Sequence, residues 1–191
     1  MIIAGIDYSM TSPSICIFVG EERDAFCFNK CTFHFLTDTD KYATYFLKNI
    51  YGTRFNQWSD DTQRFKSIAD WAVEKVRVCD SVALEGYSYG SKAGLMFNIA
   101  ENTGILKYKL YDCGIPVEIM PPTTVKKYAT GKGNSDKNAM HRSFRLETGV
   151  DLKEEITPRK AKVGNPVSDI VDSYYICKLL HEKIIDSHIS S

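Results

Sequence analysis

No stretch of this sequence approaches the roughly 18 consecutive apolar residues that mark a bilayer-spanning helix. No basic segment leads into a short apolar stretch at the N-terminus. A soluble, unprocessed, cytoplasmic protein is expected. No CxxC pair is present, and the six cysteines (Cys16, Cys27, Cys31, Cys79, Cys113, Cys177) are scattered, mostly in apolar segments. That usage suits reduced thiols acting as small hydrophobes. Cys27, Cys31 and His34 are close enough in sequence to raise zinc, but they fall in a strand-like stretch, where core packing is the stronger reading. Repeats and low-complexity segments are lacking as well. Net charge is absent, with 24 basic against 24 acidic residues, so overall charge says nothing about partners. What is plentiful is apolar material. With 43% hydrophobic and 12% aromatic residues in 191, the chain has enough for one substantial core, and a single domain over 1–191 is expected.

Local patterns divide the chain in two. Residues 2–6, 14–19 and 25–35 read as β-strands in an opening antiparallel meander. The segment 37–61 is polar and aromatic with weak periodicity, and is expected to be an insertion or a cap. Over 62–78 the apolar positions Phe65, Ile68, Ala69, Ala72, Val73 and Val76 fall at helical spacing. Residues 81–85 follow as a buried strand, 93–111 as a helix, and 115–120 as another strand. Pro121-Pro122 ends that strand, Thr123 or Thr124 caps a short helix, and Ser135 caps the next, with Gly149 closing it. Residues 151–165 form a charged connection before a last helix over 166–185, whose stripe is Ile170, Tyr174, Cys177, Leu180 and Ile184. Strands first, then alternating helix and strand, predict a mixed α/β domain.

Four acidic residues stand at element ends: Asp7 closing the first strand, Glu85 closing the strand over 81–85, and Asp169 with Asp172 opening the last helix. The last two are three residues apart and share one side of the helix, where like charges repel by about 0.2–0.5 kcal/mol on an exposed surface. A divalent cation would reverse that sign. Acidic residues also interact well with a helix N-terminus without any metal, and for this pair alone the two readings balance. Asp7 and Glu85 tip the balance toward an all-oxygen site suited to Mg²⁺, with Mn²⁺ as substitute. Two such ions, roughly 3.5–4 Å apart, can activate water and stabilise the leaving oxygen of a phosphodiester.

Basic residues are concentrated between positions 123 and 145, where Lys126, Lys127, Lys132, Lys137, Arg142 and Arg145 are opposed only by Asp136. Such a patch beside acidic ligands would bring a polyanion to a cation site. A solvated helix face is the plainer meaning of a charge run.

Taken together, Gly5-Ile6-Asp7-Tyr8-Ser9, Leu84-Glu85, the run 121–126, Gly131-Lys132-Gly133 with Lys137, and Asp169-Ile170-Val171-Asp172 resemble RuvC-type Holliday junction resolvases of the ribonuclease H-like superfamily. The resemblance covers most of the chain. It implies a five-stranded mixed sheet, antiparallel through its first three strands, with helices on both faces. It also implies a homodimer that resolves four-way DNA junctions, and possible action on other branched DNA, by two-metal hydrolysis with two Mg²⁺ per site, leaving a 5′-phosphate and a 3′-hydroxyl. On this alignment Asp7, Glu85, Asp169 and Asp172 are the metal-holding catalytic carboxylates, and Lys137 assists transition-state charge. Lys126 and Lys137 match family lysines that approach the scissile strand, and Lys127, Lys132 and Arg142 extend the DNA-binding surface. Lys127 and Lys132 read equally as exposed lysines.

The chain departs from the bacterial pattern after Glu85, where Gly86-Tyr87-Ser88-Tyr89 stands. Tyr87 or Tyr89 can stack on bases at the branch point, or pack at a strand end. The divergence points to a phage or viral member, and so to host cytoplasm. The helix over 93–111 aligns with the family's dimerisation helix, although Leu95 and Leu106 also suit intramolecular core. Two other readings compete. One is a ribonuclease acting on RNA or RNA/DNA hybrids, and the other a non-catalytic nucleic-acid scaffold, against which the four acids argue because they would repel phosphates. An ATP-binding domain of the actin and sugar-kinase type would need a second copy of the fold and a second glycine-rich phosphate turn, and both are lacking.

Overall fold

The alternation of the first strand sets the architecture. In β1 (Ile2–Asp7) Ile3 and Gly5 face one side of the sheet and Ala4 and Ile6 the other, and each side has its own apolar core. The computed structural model describes residues 1–43, 46–87 and 93–189. Among these residues the sheet has seven strands in the order β4-β5-β3-β2-β1-β6-β7. They are β1, β2 (Ser14–Val19), β3 (Cys31–Thr37), β4 (Phe46–Leu47), β5 (Ile50–Arg54), β6 (Ser81–Glu85) and β7 (Val117–Met120). β1, β2 and β3 pair antiparallel, as the sequence predicts. β6 and β7 add in parallel on the other side of β1.

The five expected strands are therefore present, but the sheet is two strands wider. The segment 37–61 adds them: β5 pairs in parallel with β3, and β4 pairs antiparallel with β5. Only Ile50 of β5 is buried, so this strand, next to the sheet's two-residue edge, carries no alternation for the sequence to display. Its Gly52 lies against the preceding turn, where a Cβ would stand 2.0 Å from the Tyr42 carbonyl oxygen. The third strand also starts later than expected, after a 3₁₀ turn at Phe28–Lys30. Strand alternation sends Cys31 into the core on one face and His34 to the other, against Tyr51, so the two cannot share a zinc ion.

Helices cover both faces. α1 (Asp61–Val76) and α2 (Ala93–Asp112) bury Ile68, Ala72, Leu106 and Leu110 against Ala4, Ile6 and Leu84. On the other face lie α3 (Pro122–Thr130), α4 (Lys137–Thr148), α5 (Leu152–Ile156) and α6 (Val167–Ile189), with Phe144, Leu152, Tyr174 and Cys177 against Ile3, Cys16 and Phe33. Each Leu, Ile or Phe among them, fully buried, contributes about 1.5–3 kcal/mol. α5 occupies part of what reads in sequence as a bare connection. The cap of α4 is Asp136, whose carboxylate accepts from the Ala139 amide at 2.8 Å. Ser135 instead shares a hydrogen bond with Thr130.

α6 is buried well beyond one stripe, since Val167, Ile170, Val171, Tyr174, Tyr175 and Ile176 are all inside. Gly5 explains how close it comes. A Cβ there would lie 2.2 Å from the Cys177 nitrogen and 2.6 Å from the Ser173 carbonyl oxygen, so the helix rests directly on the β1 backbone.

Candidate active site

Because side chains alternate, Asp7 follows Ile3 and Gly5 onto the α6 face, and Glu85 follows Ala83 onto the same face. β1 and β6 are parallel neighbours in the register Ile6↔Leu84. The two acids thus end adjacent strands side by side. The contact at Gly5 brings the first turns of α6 over that edge, carrying Asp169 and Asp172 toward them.

The four carboxylates feel one another. Burial pushes Asp7 well above the usual carboxylate range, and the charges of Asp169, Asp172 and Glu85 push the same way against Lys137. Asp172 is pushed up to about 7, by burial first and then by Glu85 and Asp169. Glu85 is raised by burial, with Lys126 opposing and Asp169 adding. Asp169 is raised by burial against hydrogen bonds from Ser12 and Ser168 and the charges of Lys137 and Lys160. Among the described residues none of the four forms an ion pair.

Asp169 is buried and Asp7, Glu85 and Asp172 are half-buried, and mutually repelling carboxylates without ion pairs are costly in such a place unless a cation joins them. The donor set, all oxygen, fits a hard divalent ion. Among the described residues no three or more His, Cys, Asp or Glu side chains stand placed to hold a metal ion as they lie. The four acids are neighbours that act on one another through charge.

Hydrogen bonds fix members of this group. Ser12 Oγ donates to Asp169 Oδ2 at 2.5 Å, and Ser168 Oγ donates to Asp169 Oδ1 at 3.1 Å. Lys137 Nζ donates to Ser168 Oγ at 3.1 Å and to Asn165 Oδ1 at 3.2 Å. Asn165 Oδ1 also lies 3.0 Å from Ser168 Oγ, but a hydroxyl has one proton and the carboxylate is the stronger acceptor. The result is a relay from Lys137 through Ser168 to Asp169. Lys160 approaches too, donating to the Asn165 carbonyl at 2.9 Å. Ser12, Asn165, Ser168 and Lys160 escaped the sequence reading. The position of Ser168 directly before Asp169 was the one available signal.

The remaining expected residues separate by place. Lys126 acts on Glu85 and Asp172 by charge. Lys127, Lys132 and Arg142 are exposed, without side-chain hydrogen bonds or ion pairs among the described residues, and Arg145 is taken up by Asp151. Tyr87 lies with Asp7, Glu85, Tyr8 and Met10 around a cleft of about 290 Å³, and Lys107 Nζ stands 5.2 Å from its ring centre. Tyr89 falls outside the described residues. A larger hollow, about 660 Å³, lies between α1 and the outer strands and holds none of the four acids.

No family model and no curated protein matches the sequence. The fold does have counterparts. RuvC from Thermus thermophilus matches over 100% of this chain and 97% of its own, with TM-score 0.62 and 15% identity. The same protein in complex with Holliday junction substrate matches equally, over 100% and 96%. The chain has a RuvC-like, ribonuclease H-like fold. The yeast mitochondrial Holliday junction resolvase Ydc2 matches over 97% of this chain and 80% of its own, with TM-score 0.54 and 11% identity. The cluster of acids stands on the residues of this chain, independently of those likenesses. No helix among the described residues is long and apolar enough to cross a membrane.

Proposed function

We propose that this RuvC-like chain is a metal-dependent endonuclease that cuts branched DNA, four-way junctions above all. The observation that carries the proposal is the cluster of four mutually repelling carboxylates without ion pairs, Asp169 buried and the other three half-buried, where β1, β6 and α6 meet. Divalent cations bound there, two Mg²⁺ ions on this reading, would supply an activated water and charge for the leaving oxygen. Asp7, Glu85, Asp169 and Asp172 would hold them. Ser12 and Ser168 keep the Asp169 carboxylate aimed, and Lys137, tethered by Asn165 and Ser168, places a positive charge beside the phosphate as negative charge develops on it.

Lys127, Lys132 and Arg142 offer exposed cationic surface for the phosphate backbone, and Lys126 adds its charge beside Glu85 and Asp172. Tyr87, on the rim of the cleft, supplies a face for an unpaired base, and Tyr89, two positions on in the sequence, is proposed to do the same. A fold shared with a protein solved in complex with Holliday junction substrate favours branched DNA over a hybrid duplex. α2 exposes Phe97 at 67%, Tyr108 at 67% and Tyr111 at 82%, an apolar surface suited to a second copy. A two-fold dimer would place two such sites on one junction.

The test is Mg²⁺-dependent cleavage of a synthetic four-way junction beside a linear duplex, a fork and an RNA/DNA hybrid, with wild type and Asp169→Asn. Paired incisions in branched DNA, lost in the variant, are expected. Preferential cutting of the hybrid would move the function to a ribonuclease, and binding without cleavage would make the chain a scaffold.

A further inference from the structure

The segment 37–61 extends the sheet, and it also carries one of only two tryptophans in the chain. Trp71 is 8% exposed, whereas Trp58 is 38% exposed in the loop between β5 and α1. Its ring is nonetheless held. Phe55 meets it edge-on at 5.7 Å and 83°, and the Arg64 guanidinium stands 4.8 Å from its centre. Arg64 is fixed in turn, its Nη2 donating 2.8 Å to the carbonyl of Met10. Among the described residues Arg64 has no carboxylate partner, and its buried Nε has no acceptor. The neighbouring Arg54, by contrast, is paired with Asp40.

Trp58 forms one wall of a hollow of about 350 Å³ completed by Asp38, Arg54, Phe55, Asn56 and Gln57, within the size range of small-ligand sites. Asn56 donates to Ser67, which leaves its carbonyl oxygen available, and Gln57 has no side-chain partner among the described residues. One aromatic face and two amides suit a flat, uncharged, hydrogen-bonding group, and the Asp38 carboxylate, without an ion pair among the described residues, disfavours an anion there. That chemistry is a nucleobase rather than a phosphate. The link to the carboxylates is short in structure, because Met10, which anchors Arg64, lines the cleft of Asp7 and Glu85.

We propose that Trp58 and Arg64 form a second DNA subsite, which stacks one unpaired nucleobase of the DNA whose backbone lies at the carboxylate cleft. This rests on the nuclease reading above. A base inside a duplex is stacked on its neighbours and cannot reach Trp58, so the subsite selects DNA with an opened base, as at a branch point. The unpaired Arg64 guanidinium meets the adjoining phosphate. The preorganised ring lowers the entropy lost on binding.

The experiment follows emission from Trp58 in a full-length Trp71→Phe variant, kept metal-free with EDTA so that no DNA is cut. The titrants are a four-way junction, a single strand and an intact duplex. Quenching by the junction and the single strand, and none by the duplex, is expected. Trp58→Ala in the otherwise native chain should weaken junction and single-strand binding between about fivefold and a hundredfold, the range for one base–aromatic stack. Duplex affinity should stay unchanged, and Trp58→Phe should recover most of the loss. Arg64→Gln should weaken the same two ligands while leaving the circular dichroism spectrum intact. If the wild type binds junctions and Trp58→Ala binds them as tightly, the subsite is wrong and the nuclease reading survives. Equal quenching by duplex also overturns it, and failure of the wild type to bind any DNA overturns both.

Discussion

Ser12 Oγ lies 2.5 Å from Asp169 Oδ2, a bond that joins the β1–β2 turn to the first turn of α6 across 157 positions of sequence. A hydrogen bond to a charged group contributes about 1.5–3 kcal/mol. Ser12→Ala should therefore lower the stability of the metal-free protein at pH 8 by about 1–3 kcal/mol in urea denaturation, and weaken Mg²⁺ binding. A change under about 0.5 kcal/mol would mean that the bond contributes nothing in solution.

The raised carboxylates predict an inverted pH response. An acid whose folded-state pKa lies above its unfolded value binds more protons when folded, so stability falls as pH rises between the two values. For Asp172 that window runs from about 4 in the unfolded chain to about 7 in the folded one. His34, pushed down to about 4 by burial, works in the opposite direction below about 6.5. The comparison is therefore made between pH 6.5 and pH 8. Metal-free protein should be the less stable at pH 8, and Asp172→Asn should raise stability there by roughly 1–3 kcal/mol and flatten the slope. Equal slopes for variant and wild type would contradict the crowding of charge at this site.

Lys137 and Ser168 should behave as one unit. Lys137→Ala is expected to cut the cleavage rate about 10²- to 10³-fold, the effect of removing one transition-state donor, with junction affinity changed little. Ser168→Ala should produce part of that loss alone and almost none in the Lys137→Ala background. Additive losses would show that Ser168 acts through something other than Lys137.

Gly5→Ala tests the seating of α6. The added Cβ would meet three backbone atoms, Cys177 N at 2.2 Å, Ser173 O at 2.6 Å and Cys177 Cα at 2.7 Å, which cannot rotate away. A loss of more than about 3 kcal/mol is expected, or failure to fold. The same exchange at Gly104 in α2, with nothing within 4 Å, should stabilise by about 0.5–1 kcal/mol. Thermal melts of both variants decide the matter.

The strand meander, the helix faces and the convergence of the four acids were legible because each is written in local periodicity or at an element end. Ile68, Ala72 and Tyr174 fall in the core where their spacing put them. β4 and β5 were not legible, since β4 has only two residues and the half-exposed β5, with Gly52 at its centre, shows no alternation. Nor was the choice of Asp136 over its neighbour Ser135 as the cap of α4, for both are good caps and only the chain's path decides. Ser12 and Asn165 gain their roles from distant partners, Asp169 and Lys137, as Ser168 does from Lys137, and apart from the place of Ser168 beside Asp169 no local pattern announces such contacts.

The two-residue period that seats Asp7 beside Glu85 also constrains how this chain can change length. Deleting one residue within β1 would rotate its acid into the apolar layer formed with α1 and α2, and the same holds for β6. Insertions in the connecting loops carry no such penalty. Length variants that keep the cluster should therefore alter these two strands in steps of two or leave them alone, while the intervals between the acids drift freely. Parity within the strand, rather than spacing along the chain, is the quantity by which remote copies of this site can be aligned.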